Sequence, residues 1–120
     1  MADPRWNSRV SSRSKSASSA ERRLADYEAV FAALDSAARR QILLTLHFRG
    51  GRMSAGEIAD RLSCAWPTTS RHLRKLEGSG LVAVERLGRE WIYTLNRARF
   101  RIATEWLAWF APRSTRRAKR

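Results

Sequence analysis

The stretch Trp66–Gly80, WPTTSRHLRKLEGSG, constrains the chain more than any other. It reads as one short helix with two unlike sides. At about 100° per residue, Ala65, Thr69, Leu73 and Leu76 share one side. Pro67, Arg71, Arg74 and Lys75 share the opposite side, with Thr68 and Ser70 on its shoulders. Pro67 suits a first turn, where a missing N–H leaves no helical hydrogen bond unmade. The run Glu77-Gly78-Ser79-Gly80 ends the helix, because glycine adopts the left-handed backbone of a C-cap. Hydroxyls and guanidiniums on the free side suit a DNA major groove. Arg can bind guanine bidentately, Thr can meet a thymine methyl, and a helix N-terminus favours phosphate. Taken alone, the same face would serve as plain solvated surface, so the flanking segments decide.

Upstream, Ser54-Ala55-Gly56-Glu57 has the form of a capping box, with Ser at the N-cap and Glu at N3. It opens a short helix through Ile58, Ala59 and Leu62, which breaks at Ser63-Cys64-Ala65 just before the basic helix. Two short helices joined by about three residues make a helix-turn-helix. Downstream, Leu81–Val84 and Trp91–Leu95 are β-prone runs flanking 85–90, a segment holding Arg86, Gly88 and Arg89. A hairpin in that position is a wing, and it would set Arg86 and Arg89 against the adjacent minor groove. The alternative is a structural hairpin with solvated arginines.

The outer helices complete the plan. Leu24, Tyr27, Phe31 and Leu34 form one apolar stripe from about Glu21. Asp35 is the expected N-cap of a helix over Ser36–Phe48, with Ile42, Leu43 and Leu46 inward and Arg39 and Arg40 free to reach solvent or phosphate. His47, beside the helix-breaking Gly50-Gly51, reads as a surface histidine. Asn96 is the expected cap of a final helix over Arg97–Phe110. That helix carries two stripes, Phe100, Ala103, Leu107 and Phe110, then Ile102, Trp106 and Trp109. One stripe is enough for a surface helix. The second, aromatic one predicts burial against a partner copy, with Tyr27, Phe31, Ile102, Trp106, Trp109 and Phe110 at a two-fold interface. The fold class is therefore mainly α with a small β-hairpin wing: a homodimeric winged helix-turn-helix.

Charge supports a polyanionic partner. The net charge is +13, from 24 basic and 11 acidic side chains. Residues 1–20, rich in serine, hold four basic side chains and one acid, and 112–120 hold five basic and none, so the body 21–111 keeps only +5. The two ends read as disordered basic tails around one folded domain, and double-stranded DNA is favoured over a membrane surface. No apolar run approaches the roughly eighteen residues of a spanning helix. The single cysteine cannot form an internal disulfide, which makes a reducing cytoplasm the default compartment.

Several segments together resemble the ArsR/SmtB family of bacterial winged-helix repressors. The match in type and spacing runs through Val30–Asp35, Arg39–Leu43, Glu57-Ile58-Ala59 and Pro67–Leu73, then Leu76–Val82, Gly88-Arg89 and Tyr93. The resemblance implies a helical homodimer that binds inverted-repeat operators and represses. DNA contacts carry over to Trp66, Thr68, Ser70, Arg71 and His72 in the recognition helix and to Arg86 and Arg89 in the wing; Arg74 joins them by its place on the basic face. His72 sits toward the core side, so it suits a phosphate or backbone group better than a base edge. Two positions depart from the pattern. Ala65-Trp66 stands where the family often has Ser-Gln, so the usual N-cap is lost unless Ser63 replaces it. Asp35-Ser36-Ala37 stands in place of Asp-Pro-Thr.

The family's metal sites find no ligands here: the helix before the recognition helix has no cysteine, and the last one begins Arg97-Ala98-Arg99. One cysteine and two histidines cannot make a four-ligand zinc site within a protomer, so neither metal nor cofactor is expected. Cys64 is either an activated thiol or, more simply, a small residue in a turn. No paired carboxylates, Ser-His-Asp set or phosphate loop point to an enzyme. The remaining rival is a non-specific architectural or RNA-binding protein. A small-molecule or protein effector is left open, and nothing in the sequence names one.

Overall fold

The computed structural model describes residues 18–112; both predicted tails, apart from their innermost residues, lie outside them. Helix α1 (Ser19–Leu34) and α2 (Ala37–Phe48) precede a short strand, β1 (Arg52–Ser54). Then come α3 (Ala55–Arg61), α4 (Trp66–Ser79), β2 (Val82–Leu87) and β3 (Glu90–Leu95). A 3-10 turn (Arg97–Phe100) leads into α5 (Arg101–Ala108).

Each helix start has a local cause. The hydroxyl of Ser18 accepts from the Glu21 N–H at 3.1 Å, so α1 begins two residues before the expected Glu21. The hydroxyl of Ser36, not the carboxylate of Asp35, caps α2, accepting from the Arg39 N–H at 3.2 Å. Asp35 instead closes α1 as its C-cap. The capping box at α3 is complete: Ser54 Oγ accepts from the Glu57 N–H, and the Ser54 N–H donates to Glu57 Oε1 at 2.9 Å. That second bond holds the Glu57 carboxyl below its usual range.

The sheet is three-stranded and antiparallel, in order β1-β3-β2, where the sequence predicted only a hairpin. Gly50 and Gly51, at φ +90° and +89°, swing the chain out of α2 so that Arg52 pairs with Thr94 and Ser54 with Ile92. In β2 and β3 the pairs Val82–Leu95, Val84–Tyr93 and Arg86–Trp91 share one face, which packs on α4. The strands extend to Leu87 and Glu90, so the expected tip 85–90 contracts to the two residues Gly88 and Arg89. With Gly88 at φ +63° and Arg89 at negative φ, the connection follows a type II′ pattern.

The core gathers Val30 and Ala33 of α1, Ile42, Leu43 and Leu46 of α2, Ile58 of α3, and Leu73 and Leu76 of α4, with Met53, Leu81 and Val82 from the sheet and Ala103 from α5. The expected α1 stripe is shifted by one residue, about 100° around the helix. Val30 and Ala33 are buried, Tyr27, Phe31 and Leu34 are half-buried, and Leu24 is exposed. The Asn96 side chain does not cap the last helix; its amide donates to the Gly80 carbonyl at 3.1 Å, and α5 ends at Ala108.

Candidate nucleic-acid interface

Helix α4 stands on its apolar side. Thr69, Leu73 and Leu76 are fully buried, while Arg71, Arg74 and Lys75 on the far side are exposed. Its N-cap is Ala65, which offers no side-chain acceptor, and Ser63 does not substitute for one. Its C-terminus, by contrast, is heavily tied. Gly80 adopts φ +85°, and a Cβ there would meet Arg99 Nε at 2.7 Å. That close approach lets Arg99 Nε donate to the Ser79 carbonyl at 2.9 Å while Nη2 reaches Asp26 Oδ1 of α1 at 3.1 Å. The buried Ser79 hydroxyl donates to the Leu76 carbonyl at 2.7 Å. Helix α4 is thus held by its far end and its apolar face, and its basic side stays exposed.

Two clefts flank its exposed face. One, of about 500 Å³, is lined by Arg39, Arg71, His72, Arg74 and Lys75, with no carboxylate among them. The other, of about 400 Å³, lies between α4 and the sheet, lined by Trp66, Ser70, Arg74, Glu77, Val84, Trp91 and Tyr93. Trp66 is half exposed at that groove, and Thr68 and Ser70 are half-buried beside it. Burial, with Glu77 adding to it, raises the Tyr93 hydroxyl above its ordinary pKa, so it is a neutral donor there.

The wing arginines part company. Arg86 lies over the Trp91 ring, 5.2 Å from its centroid, and its Nε donates to the Gly88 carbonyl at 3.2 Å. Arg89 occupies the turn itself and is exposed, without a hydrogen-bond partner among the described residues. Sequence reasoning missed Trp91 and Tyr93 as groove residues, because strand alternation shows their common face only once register is known.

Arg39 was expected to reach solvent or phosphate. Its guanidinium is instead bound inward, Nε to the Ala33 carbonyl at 2.7 Å and Nη2 to the Ala32 carbonyl at 3.0 Å, while Arg40 Nη1 takes the Leu34 carbonyl at 2.8 Å. Two arginines of α2 therefore satisfy the last carbonyls of α1. Arg39 Nη1 also lies 3.3 Å from His72 Nδ1. Desolvation first, then the charges of Arg39 and Arg71, push the imidazole pKa of His72 down.

Away from this surface, α1 and α5 pack together, with Phe31 edge-on to Trp106 at 5.4 Å and Trp106 against Phe110 at 5.0 Å. Tyr27 and Ile102 are half-buried within the protomer. Trp109 and Phe110 stay 82% and 68% exposed, and Leu24 and Leu107 are exposed too. Cys64 is a free thiol of intermediate exposure. Among the described residues no cluster of three His, Cys, Asp or Glu side chains could hold a metal ion. No helix among them is long and apolar enough to cross a membrane.

A basic helix seated on a small helical core, with a stranded wing beside it, defines a winged helix-turn-helix DNA-binding domain. Residues 34–85 match the family described as a helix-turn-helix domain. The chain is 33% identical over 78 residues to the transcriptional repressor SdpR of Bacillus subtilis (strain 168), covering 65% of this chain and 84% of that one. It is similar to the structure of an ArsR-like transcriptional regulator from Rhodococcus sp. RHA1, with 31% identity, a TM-score of 0.63, and 80% and 89% of the two chains covered. It also resembles the homodimeric winged helix-turn-helix domain of Mb0332 from Mycobacterium bovis, a possible ArsR-family regulator, at 28% identity and a TM-score of 0.59, over 71% and 79% of the chains. The chain belongs to the ArsR family of transcriptional regulators, a family of DNA-binding proteins and not of enzymes.

Proposed function

We propose that this regulator acts in the cytoplasm as a homodimer that binds an inverted-repeat operator and represses the promoter there. The observation that carries the reading is the two-sidedness of α4: Arg71, Arg74 and Lys75 lie exposed opposite side chains that are 0–1% exposed. Arg71 reads base edges in the major groove, Trp66, Thr68 and Ser70 contact the same groove from the helix's first half, and Arg74 meets phosphate. Arg89 enters the minor groove from the turn, while Arg86, stacked on Trp91, presents a fixed charge to the backbone. Dimerisation is supported by the exposed Trp106, Leu107, Trp109 and Phe110 beside Phe31, and by the homodimeric state of the similar Mb0332 domain. Repression is supported by the similarity to SdpR. The basic segments at both ends add phosphate contacts around one domain.

The test compares Arg71→Ala with a chain cut after Pro112, on operator and scrambled DNA at two salt concentrations. Arg71→Ala should cost about 1–3 kcal/mol on the operator and much less on scrambled DNA. Tail removal should weaken both DNAs alike and flatten the salt dependence by about 0.9 for each phosphate no longer neutralised. Equal losses for both variants on both DNAs would make the basic face an electrostatic patch, as in an architectural protein.

A further inference from the structure

We infer that His72 is a neutral hydrogen-bond donor to one backbone phosphate of the DNA, with Arg39 as the positioning residue that fixes its proton on Nε2. This contact rests on the DNA-binding role proposed for α4 and is one part of it. An arginine side chain carries only N–H donors, and it stays protonated. Facing Arg39 Nη1 at 3.3 Å, Nδ1 of His72 can only accept. An accepting Nδ1 is unprotonated, so the ring is neutral and its one N–H is on Nε2.

Arg39 cannot easily turn away from this task. Two other nitrogens of the same fork are fixed on the Ala33 and Ala32 carbonyls at 2.7 and 3.0 Å, so the third points where α1 and α2 place it. On the other edge of the ring, Nε2 has no hydrogen-bond partner among the described residues, and the ring borders the cleft shared with Arg71, Arg74 and Lys75. That cleft gathers positive charge without a lining carboxylate, which suits a phosphodiester. A protonated ring would set two donors against each other at Arg39, and both neighbouring arginines oppose it. The outcome is a division of labour, in which Arg74 and Lys75 supply charge and His72 supplies direction. Sequence-independent contacts of this kind fix a recognition helix in register on the duplex.

The experiment exploits the fact that a neutral donor releases no counterion. His72→Asn keeps an oxygen where Nδ1 accepts from Arg39 but has no group in the place of Nε2. It should bind operator and scrambled DNA about tenfold to a hundredfold more weakly, with the slope of log K against log salt unchanged. Lys75→Ala, the comparison variant, should lower that slope by about 0.9. Nitrogen-15 NMR of the intact wild-type protein at pH 7.5 should show His72 protonated on Nε2, and Arg39→Met, which removes the donors facing Nδ1, should release that tautomer preference. Unchanged affinity in His72→Asn, a loss confined to the operator, a lowered salt slope, or a proton on Nδ1 would each overturn the assignment. If wild-type protein bound no DNA at all, the DNA-binding reading would fall and take the phosphate contact with it. DNA binding accompanied by any of the other outcomes removes only the role of His72.

Discussion

Replacing Thr69 with Val should stabilise the protein. Thr69 is fully buried on the apolar side of α4, and its hydroxyl is the one buried side-chain polar atom among the described residues without a hydrogen-bond partner. A buried threonine in a helix commonly turns its hydroxyl to the carbonyl one turn back, but the Ala65 carbonyl is already taken by the N–H groups of Thr68 and Thr69, each at 3.0 Å. Leaving such a group unpaired costs about 1–3 kcal/mol. Valine keeps the branched shape, has a similar helix propensity, and puts a methyl where the hydroxyl was. The expected gain is therefore about 1–3 kcal/mol. Urea unfolding followed by tryptophan fluorescence at one fixed protomer concentration would measure it, since the proposed dimer would couple stability to concentration. With m near 1–3 kcal/mol per molar, each kcal/mol raises the midpoint by roughly 0.3–1 M. DNA affinity should not change, because residue 69 faces away from the basic side. A lowered midpoint at unchanged m would mean that the hydroxyl is paired in solution and carries no desolvation penalty to relieve.

Three further outcomes are expected. Ser54→Ala removes the Oγ that caps α3 and should cost about 1 kcal/mol in the same unfolding assay; no loss would mean that the backbone bond from residue 54 to Glu57 suffices. Changing Trp106 and Phe110 together to Ser should move the protein from dimer to monomer in sedimentation at micromolar concentration and weaken operator binding, and a wild-type monomer would refute the interface. Acid should destabilise the fold through His72. Its folded pKa lies below the ordinary imidazole value, so as pH falls below about 6.5 the unfolded chain takes up a proton that the folded one resists. Stability is complete above that range and declines as pH drops toward the folded pKa. Arg39 and Arg71 act on the ring, with Arg74 and Lys75 on the same cleft. Between pH 7.5 and 5.5 the wild type should therefore lose more stability than His72→Asn, a window chosen to lie above the titration of Glu57; parallel losses would show that another group is responsible.

How much of this was legible beforehand depended on how local the cause was. The buried side of α4 from Thr69 onward, the capping box of Ser54 and Glu57, and the glycine stop at Gly80 each depend on residues within one or two turns and stand in the structure, whereas Ala65, expected on that buried side, is the exposed N-cap because the helix begins only after it. The expectation of Asp35 as the cap of α2 fails because its neighbour Ser36 is an equally good cap and only the backbone decides between them. Asn96 looked like a helix cap, yet its amide reaches the Gly80 carbonyl sixteen residues back. Strand β1 escaped because three residues carry no periodicity. Arg39 escaped for a related reason: neither the α1 carbonyls nor His72 can be placed beside it until α1, α2 and α4 have packed. Nothing in sequence spacing distinguishes an arginine turned inward from one offered to DNA.

The short strand β1 also bears on the order in which the chain assembles. Its partners lie about forty positions away, Arg52 against Thr94 and Ser54 against Ile92, with α3, α4 and β2 all contained in the loop so closed. Such a loop costs chain entropy that the β2–β3 hairpin, closed by Gly88 and Arg89, does not. The hairpin can therefore form on the microsecond scale, whereas β1 joins only after both helices have packed. Because Ser54 is at once the last residue of β1 and the N-cap of α3, that late step also ties the start of the already packed α3 to the sheet. Slow solvent exchange at the β1 amides would thus mark the arrival of a complete DNA-binding unit.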